Sequence, residues 1–392
     1  MDYNKAMTQA YHQEAKHIKA LSIRSGRWMM VACLLALLLA NSPLQAYYNG
    51  FNELPFTIML GTFKMSKPLI IWMNEGFMAI FFFLIGLEIK HGLESGPLKD
   101  LRQVWLPIYG ACGGMLMPGL IYALFNYQTT SQMAGWAIPV ATDIAFSLAV
   151  LAMVTPGIQP KLRLFLSTLA IIDDIGAIVI IAVFYTDHLS LVWFLCGLGA
   201  FLGMCGLSIY GVKRLPGYFI LALVLWYCLV YSGLHATLSG VLLAMVLPKT
   251  NGLNQPVTQP LLHQLEPWVN FMILPVFAFM NAGVNLGLSG GMVWDTSIFL
   301  GVLLGLFVGK PVGVMLFSWV SIRFKLAFKD PDMSWRQLWG VAALTGIGFT
   351  MSLFIGSLSF EHALTWLASA KMGILLGSLL SGLLGAYLLA TK

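Results

Sequence analysis

Apolar residues recur along this chain in runs of roughly twenty, separated by short breaks rich in Gly, Pro and basic residues, from near one end to the other. A helix of about that length crosses a bilayer, so the pattern predicts an all-α integral membrane protein. Reading runs against breaks gives twelve candidate transmembrane helices, at 29–48, 69–93, 104–125, 133–153, 162–185, 191–210, 216–229, 233–247, 261–282, 298–321, 338–357 and 366–390. The seventh and eighth are short for a crossing. A polar tail, 1–28, precedes the membrane domain, 29–392. In the loop 41–68, the segment FTIMLGTFKMSK sets β-branched and aromatic residues around Gly61 and Thr62, the pattern of a β-hairpin. Its edges are suited to pairing with a second copy, so a homodimer is expected.

Composition agrees: 58% of the 392 residues are hydrophobic and 10% are charged, outside the soluble range. Basic residues then fix orientation, because they collect on the inner side. With the N-terminus inside, all but four of the 22 Lys and Arg fall on inner segments; Lys64 and Lys67 lie outside, and Lys310 and Lys371 lie within spans. Both termini are therefore expected in the cytoplasm, and the +6 net charge reflects topology and anionic lipid contact rather than nucleic-acid binding. The five cysteines are scattered through apolar runs without CxxC spacing and read as packing thiols. GLFVGKP has Pro311 where a phosphate loop needs Ser or Thr, so neither an ATP-driven pump nor a bound cofactor is expected.

Three carboxyls, Asp143, Asp173 and Asp174, and one ammonium, Lys310, remain deep in apolar runs. Charges at that depth are costly and usually face one another or a water-filled path. A structural ion pair fixing helix register is the plainer reading, but one cation cannot neutralise three acids. Adjacent helical residues point about 100° apart, so one of Asp173 and Asp174 can meet Lys310 while the other faces elsewhere. In WAIPVATDIAF, Pro139 removes a backbone donor just before Thr142 and Asp143; in LTGIGFTMSLF, Gly346 and Gly348 loosen the eleventh span. Freed backbone at that depth is tolerated where it lines a cavity or is buried in protein. If the breaks meet, Asp143 can offset the positive helix ends and Lys310 the negative ones.

The stretches PVATDIAFSLAVLAMV, LAIIDDIGAIVIIAVFYT, SGLHATLSGV, LPVFAFMNAGV, GKPVGV and LTGIGFTMSLFI together resemble the bacterial NhaA sodium/proton antiporter family, over nearly all of the chain after about residue 22. That family is among the examples from which broken helices are known to mark transport sites, so the two observations are one argument. The resemblance implies a twelve-helix inner-membrane protein of inverted repeats, with crossed, discontinuous spans 4 and 11. It implies that Asp174 is the principal Na⁺ ligand, with Asp173 beside it and able to pair with Lys310, and that Thr142 and Asp143 belong to the unwound crossing. It also links His235 and Glu88 to pH response; by its own surroundings His235 reads as a packing histidine. EIKHGLE carries His91 and Gly92 where a more charged pair is expected, and His263 and Glu266 in LLHQLEPW are arranged differently.

The chemistry expected is electrogenic exchange of Na⁺ or Li⁺ for about two H⁺ by alternating access, with no catalytic residue and no cofactor. A proton-coupled solute symporter is the alternative. An intramembrane aspartyl protease lacks its GxGD-type sequence here, and Lys310 would disturb a proton-sharing dyad.

Overall fold

The computed structural model describes the backbone of residues 2–60, 63–94, 101–155, 160–186, 189–286 and 294–390 and, apart from 2–19, 60, 63, 64 and 101–103, their side chains. Almost all of it is helix. The one sheet is the expected hairpin, Pro55–Leu60 antiparallel to Phe63–Pro68, in register Pro55↔Pro68 through Leu60↔Phe63. Gly61 and Thr62, expected at its turn, lie outside the described residues.

Among the described residues, eight helices are long and apolar enough to cross a membrane: Ala20–Ala40, Leu69–Glu94, Val104–Asn126, Pro160–Phe184, Leu191–Ile209, Thr296–Arg323, Trp335–Ser359 and Leu364–Ala390. The pair Thr130–Val140 and Ile144–Val154, bent by 42°, makes a ninth crossing if counted as one span. The remaining three candidates are helical but shorter or divided. Pro216–Ser232 ends on left-handed Gly233, Leu238–Val246 has nine residues, and the ninth candidate comprises Thr258–Trp268, Val269–Ile273 and Leu274–Asn281.

The first span departs from the sequence reading. Its helix runs unbroken over Asp2–Ala40, so the polar residues 2–28 are continuous with the crossing helix, and the crossing part ends at Ala40 rather than near 48. No strong breaker precedes Asn41-Ser42-Pro43, where Asn41 Nδ2 donates to the Leu37 carbonyl at 2.8 Å and Ser42 Oγ to that of Leu39 at 3.0 Å. Gly26 is tolerated within the helix because it packs on Ala149, whose Cβ would lie 2.5 Å from a Cβ added there. Residues 45–48 belong to a second helix, Gln45–Glu53, which buries Tyr48 and Asn52.

The contacts divide the chain into two compact units. One comprises Met1–Leu35, Asp100–Asp173 and Val284–Lys392. Its tightest packing joins Leu101–Asn126 to the span Thr296–Arg323 through glycines four residues apart. Gly301 meets Tyr122 and Asn126, Gly305 meets the Pro118 carbonyl, Gly309 meets the rest of Pro118, and a Cβ on Gly313 would lie 2.1 Å from the Gly113 carbonyl oxygen. Without side chains in the way the two backbones touch, the usual means of joining helices in lipid, where burial of apolar surface offers little drive.

The other unit comprises Ala36–Lys99 and Asp174–Gly283. Its core, including Phe83, Leu87, Met204, Tyr218, Leu225 and Leu243, is drawn from Met78–Glu94 and the three helices within 191–246. Lys90, counted on the inner side by the sequence reading, is a buried pin: its ammonium donates to the carbonyls of Ala244, Met245 and Leu247 at the end of Leu238–Val246. The three bonds use all three ammonium protons and the cation meets the negative end of that helix.

Candidate functional site

The site is built on two broken helices of the first unit. Pro139 closes the 3-10 stretch Ala134–Val140, Ala141 is extended, and Ile144–Val154 starts afresh with Asp143 as its N-cap. The partner break separates Trp335–Thr345 from Phe349–Ser359, and this span is the most enclosed of the eight crossing helices, with 89% of its most apolar stretch buried. The breaks meet: the Asp143 amide donates to the Ile347 carbonyl at 2.7 Å. Ala134–Val140 packs on Phe349–Ser359, and Ile144–Val154 on Trp335–Thr345. Two helix N-termini and two helix C-termini therefore end at one place.

Each set of ends has its own counter-charge. Asp143 accepts from the Phe146 amide at 2.9 Å through Oδ1, and from the Thr350 amide at 3.1 Å and the Thr350 hydroxyl through Oδ2. One carboxylate thus caps the first turns of both Ile144–Val154 and Phe349–Ser359, where the helix dipoles favour negative charge. Lys310 follows a π-turn over Gly305–Gly309, a distortion common at functional positions. Its ammonium donates to the Val140 carbonyl, the negative end of Ala134–Val140, to Thr142 Oγ1 at 2.6 Å and to Asp173 Oδ2 at 2.7 Å. Thr142 Oγ1 also lies 2.7 Å from Asp173 Oδ2 and 3.0 Å from the Thr345 carbonyl, the last of its half-helix. A hydroxyl has one proton, so Thr142 donates to one of them at a time.

Asp143, Thr142, Asp173, Thr345, Thr350 and Lys310 are all at most 2% exposed. Asp173 Oδ2 is held by Lys310 and Thr142, whereas its Oδ1 is buried with no hydrogen-bond partner among the described residues. A half-satisfied carboxylate in a dry place is unstable as it stands, and a proton or a hard cation on the second oxygen removes the deficit. Asp174 is 1% exposed, and the division between the units falls immediately before it.

Thr350 and Thr345 were not singled out in the sequence. The signal for Thr350 was its place just after the Gly346–Gly348 break, where a helix begins and its amides need an acceptor. Glu88 and His235 belong to the other unit. Glu88 lies within electrostatic reach of Glu266. His235, in the turn between Pro216–Ser232 and Leu238–Val246, has Nε2 2.7 Å from the Tyr185 carbonyl. In the same unit, Lys90, Glu94, Lys213 and Lys249 line a cavity of about 350 Å³.

A family model described as Na⁺/H⁺ antiporter 1 matches residues 16–389. The chain is 46% identical over 369 residues to the Na⁺/H⁺ antiporter NhaA of Shewanella putrefaciens, covering 93% of this chain and 94% of that one. It is 45% identical over 366 residues, with the same coverage, to the NhaA of Shewanella baltica. A solved sodium proton antiporter of Methanocaldococcus jannaschii matches 97% of this chain and 96% of its own with a TM-score of 0.54; at 15% identity that likeness concerns the fold.

Proposed function

The chain belongs to the Na⁺/H⁺ antiporter 1 family, and from that premise we propose how its buried carboxyls exchange the two ions. It is a multi-pass membrane protein and a sodium/proton antiporter; none of the relatives favours the symporter alternative. In the proposed cycle Asp174 is the principal Na⁺ ligand, Asp173 contributes beside it, and Lys310, Thr142 and Asp143 hold the crossing that positions them. The observation that carries this reading is the bare Oδ1 of Asp173, opposite an oxygen already held by Lys310 and Thr142. Protons and Na⁺ compete for the same carboxyl oxygens, so occupancy by one requires departure of the other. An empty, charged site is expensive in low dielectric and moves reluctantly, which keeps the exchange coupled without a cofactor.

Each Na⁺ (or Li⁺) displaces about two protons in this scheme, either because Asp173 and Asp174 each hold a proton when no metal is bound, or because Asp174 holds one and Lys310 releases the other as its partner Asp173 turns to the metal. One net charge then moves per turnover. A charge crossing about 100 mV is worth roughly 2.3 kcal/mol, enough to expel Na⁺ into an alkaline medium. The lysine and arginine distribution supports an inner bacterial membrane with both termini cytoplasmic, in contact with anionic lipid. His235 and Glu88 are proposed to adjust the pH response, supported by His235 at the end of the helix that carries both aspartates. The hairpin, whose strand edges carry backbone groups able to pair, is proposed to join a homodimer; single cysteines at Met59 that crosslink copies in native membranes would support it, and capture of monomers alone would contradict it.

The test of the exchange is protein in liposomes with a pH-sensitive dye inside. Na⁺ and Li⁺ should drive proton flux and K⁺ should not, with a reversal condition corresponding to two protons per Na⁺. Reversal at one proton per Na⁺ would contradict the two-proton scheme.

A further inference from the structure

The helix Pro160–Phe184 and the half-helix Trp335–Thr345 are joined at two places. At the site, Thr142 Oγ1 lies between Asp173 Oδ2 and the Thr345 carbonyl and donates to either one. About 18 Å back along the first helix, at roughly 1.5 Å per residue, lies Lys161. Its ammonium is 2.8 Å from Asp330 and 2.5 Å from Asp332, both in the loop that leads into Trp335. All of these residues belong to one unit. The acidic loop is built rather than loose. The Asp332 amide donates to Asp330 Oδ1 at 2.9 Å. Lys329 donates to the carbonyls of Asp330 and Met333 and sits 5.9 Å from the centre of the Trp335 ring. Ser334 and Gln337 then close a capping box at the start of the half-helix.

The two joints differ in solvation. Thr142, Asp173 and Thr345 are fully enclosed, whereas the Lys161 and Asp332 side chains are 49% and 78% exposed. Salt does not enter the first joint but screens the second: the Debye length falls from about 10 Å at 0.1 M to about 3 Å at 1 M. Protons do not act on it near neutrality. The Lys161 ammonium holds the Asp330 carboxyl below the usual carboxylate range. A depressed acid contributes fully above its ordinary pKa of about 3.9 and loses that contribution only as pH falls through the lowered value. Ionic strength is therefore the variable to which this joint responds.

We propose that Lys161, Asp330 and Asp332 are positioning residues that fix the spacing of the two helices and make the Na⁺ affinity of the transport site depend on ionic strength. This rests on the antiport reading. With the exposed joint closed, the Asp173 helix and the broken span are held in register at both ends and the site stays preorganised for the cation. With it screened, only the dry joint remains and the far ends separate.

The test has two independent readouts on the full-length protein. In proteoliposomes, with choline chloride as the inert salt, the wild-type KM for Na⁺ should rise several-fold as ionic strength goes from about 0.05 to 0.5 M, while kcat changes little. Lys161→Gln should show the raised KM already at low salt and a flat dependence, and the reversed triad, Lys161→Glu with Asp330→Lys and Asp332→Lys, should recover the wild-type dependence. Spin labels at exposed Leu164 and Arg336 should report a distance that lengthens or broadens with salt in wild type and not in Lys161→Gln. Equal salt dependence of KM in wild type and Lys161→Gln, or a distance indifferent to salt, would overturn the proposal. A salt-dependent distance without Na⁺-driven proton flux would instead remove the antiport reading and leave the joint.

Discussion

Asp143 and Asp173 meet the same pair of helix breaks, yet their oxygens are treated differently. Asp143 is filled: three donors from two helix starts reach its two oxygens, and every one is an uncharged group of the fold. Asp173 is half filled: one oxygen is bound by a cation and a hydroxyl, and the other has no partner among the described residues. The difference teaches that burial of a carboxyl does not by itself identify a transport ligand. A saturated carboxylate is architecture, and an unsaturated one has a valence left for cargo.

Breaking the charged side of this comparison should have the larger effect. Lys310→Ala leaves Asp173 buried without its cation, and a loss of about 3–5 kcal/mol is expected, read as a large fall in unfolding temperature in detergent. Adding Asp173→Asn to it should recover most of that loss, since no uncompensated charge remains; an unchanged temperature in the double variant would show that Lys310 acts through Val140 and Thr142 instead. Asp143→Asn keeps one capping oxygen but turns an amide group toward Thr350, so about 2 kcal/mol is expected. Thr350→Val removes only the hydroxyl bond, with a loss of about 1 kcal/mol. A Thr350 effect as large as that of Asp143 would mean that the hydroxyl, rather than the paired helix ends, fixes the crossing.

Much of this site was legible because its residues violate the hydropathy of their surroundings. Asp143, Asp173, Asp174 and Lys310 stand out in apolar runs, and Pro139 with Gly346 and Gly348 marks the breaks; the capping roles of Asp143 and Lys310 follow from helix dipoles once the breaks meet. Pairwise geometry was not legible. Spacing alone leaves open which of two adjacent aspartates meets Lys310, and only the family resemblance pointed to Asp173, whose Oδ2 lies 2.7 Å from the ammonium. The spacing of Gly301, Gly305, Gly309 and Gly313 was visible in the sequence, but its meaning depends on Gly113 and Pro118 of another helix. Lys90 looked like an ordinary basic residue at a span end because its three carbonyl partners lie about 150 residues away. The length of the first helix was not legible for the opposite reason: a polar composition over 2–28 says nothing for or against helix, and only Asn41-Ser42-Pro43 ends it.

The central claim is that the carboxyls beside the broken helices exchange Na⁺ for H⁺. Its most direct test is Asp174→Asn, which keeps the side-chain volume and removes both the anionic ligand and the exchangeable proton, in the dye-loaded liposomes with wild type alongside. Wild type should show Na⁺-driven proton flux, and the variant, folded by its unfolding temperature, should show none at any Na⁺ concentration. Wild-type flux from the folded variant would contradict it and place the exchange elsewhere in the protein.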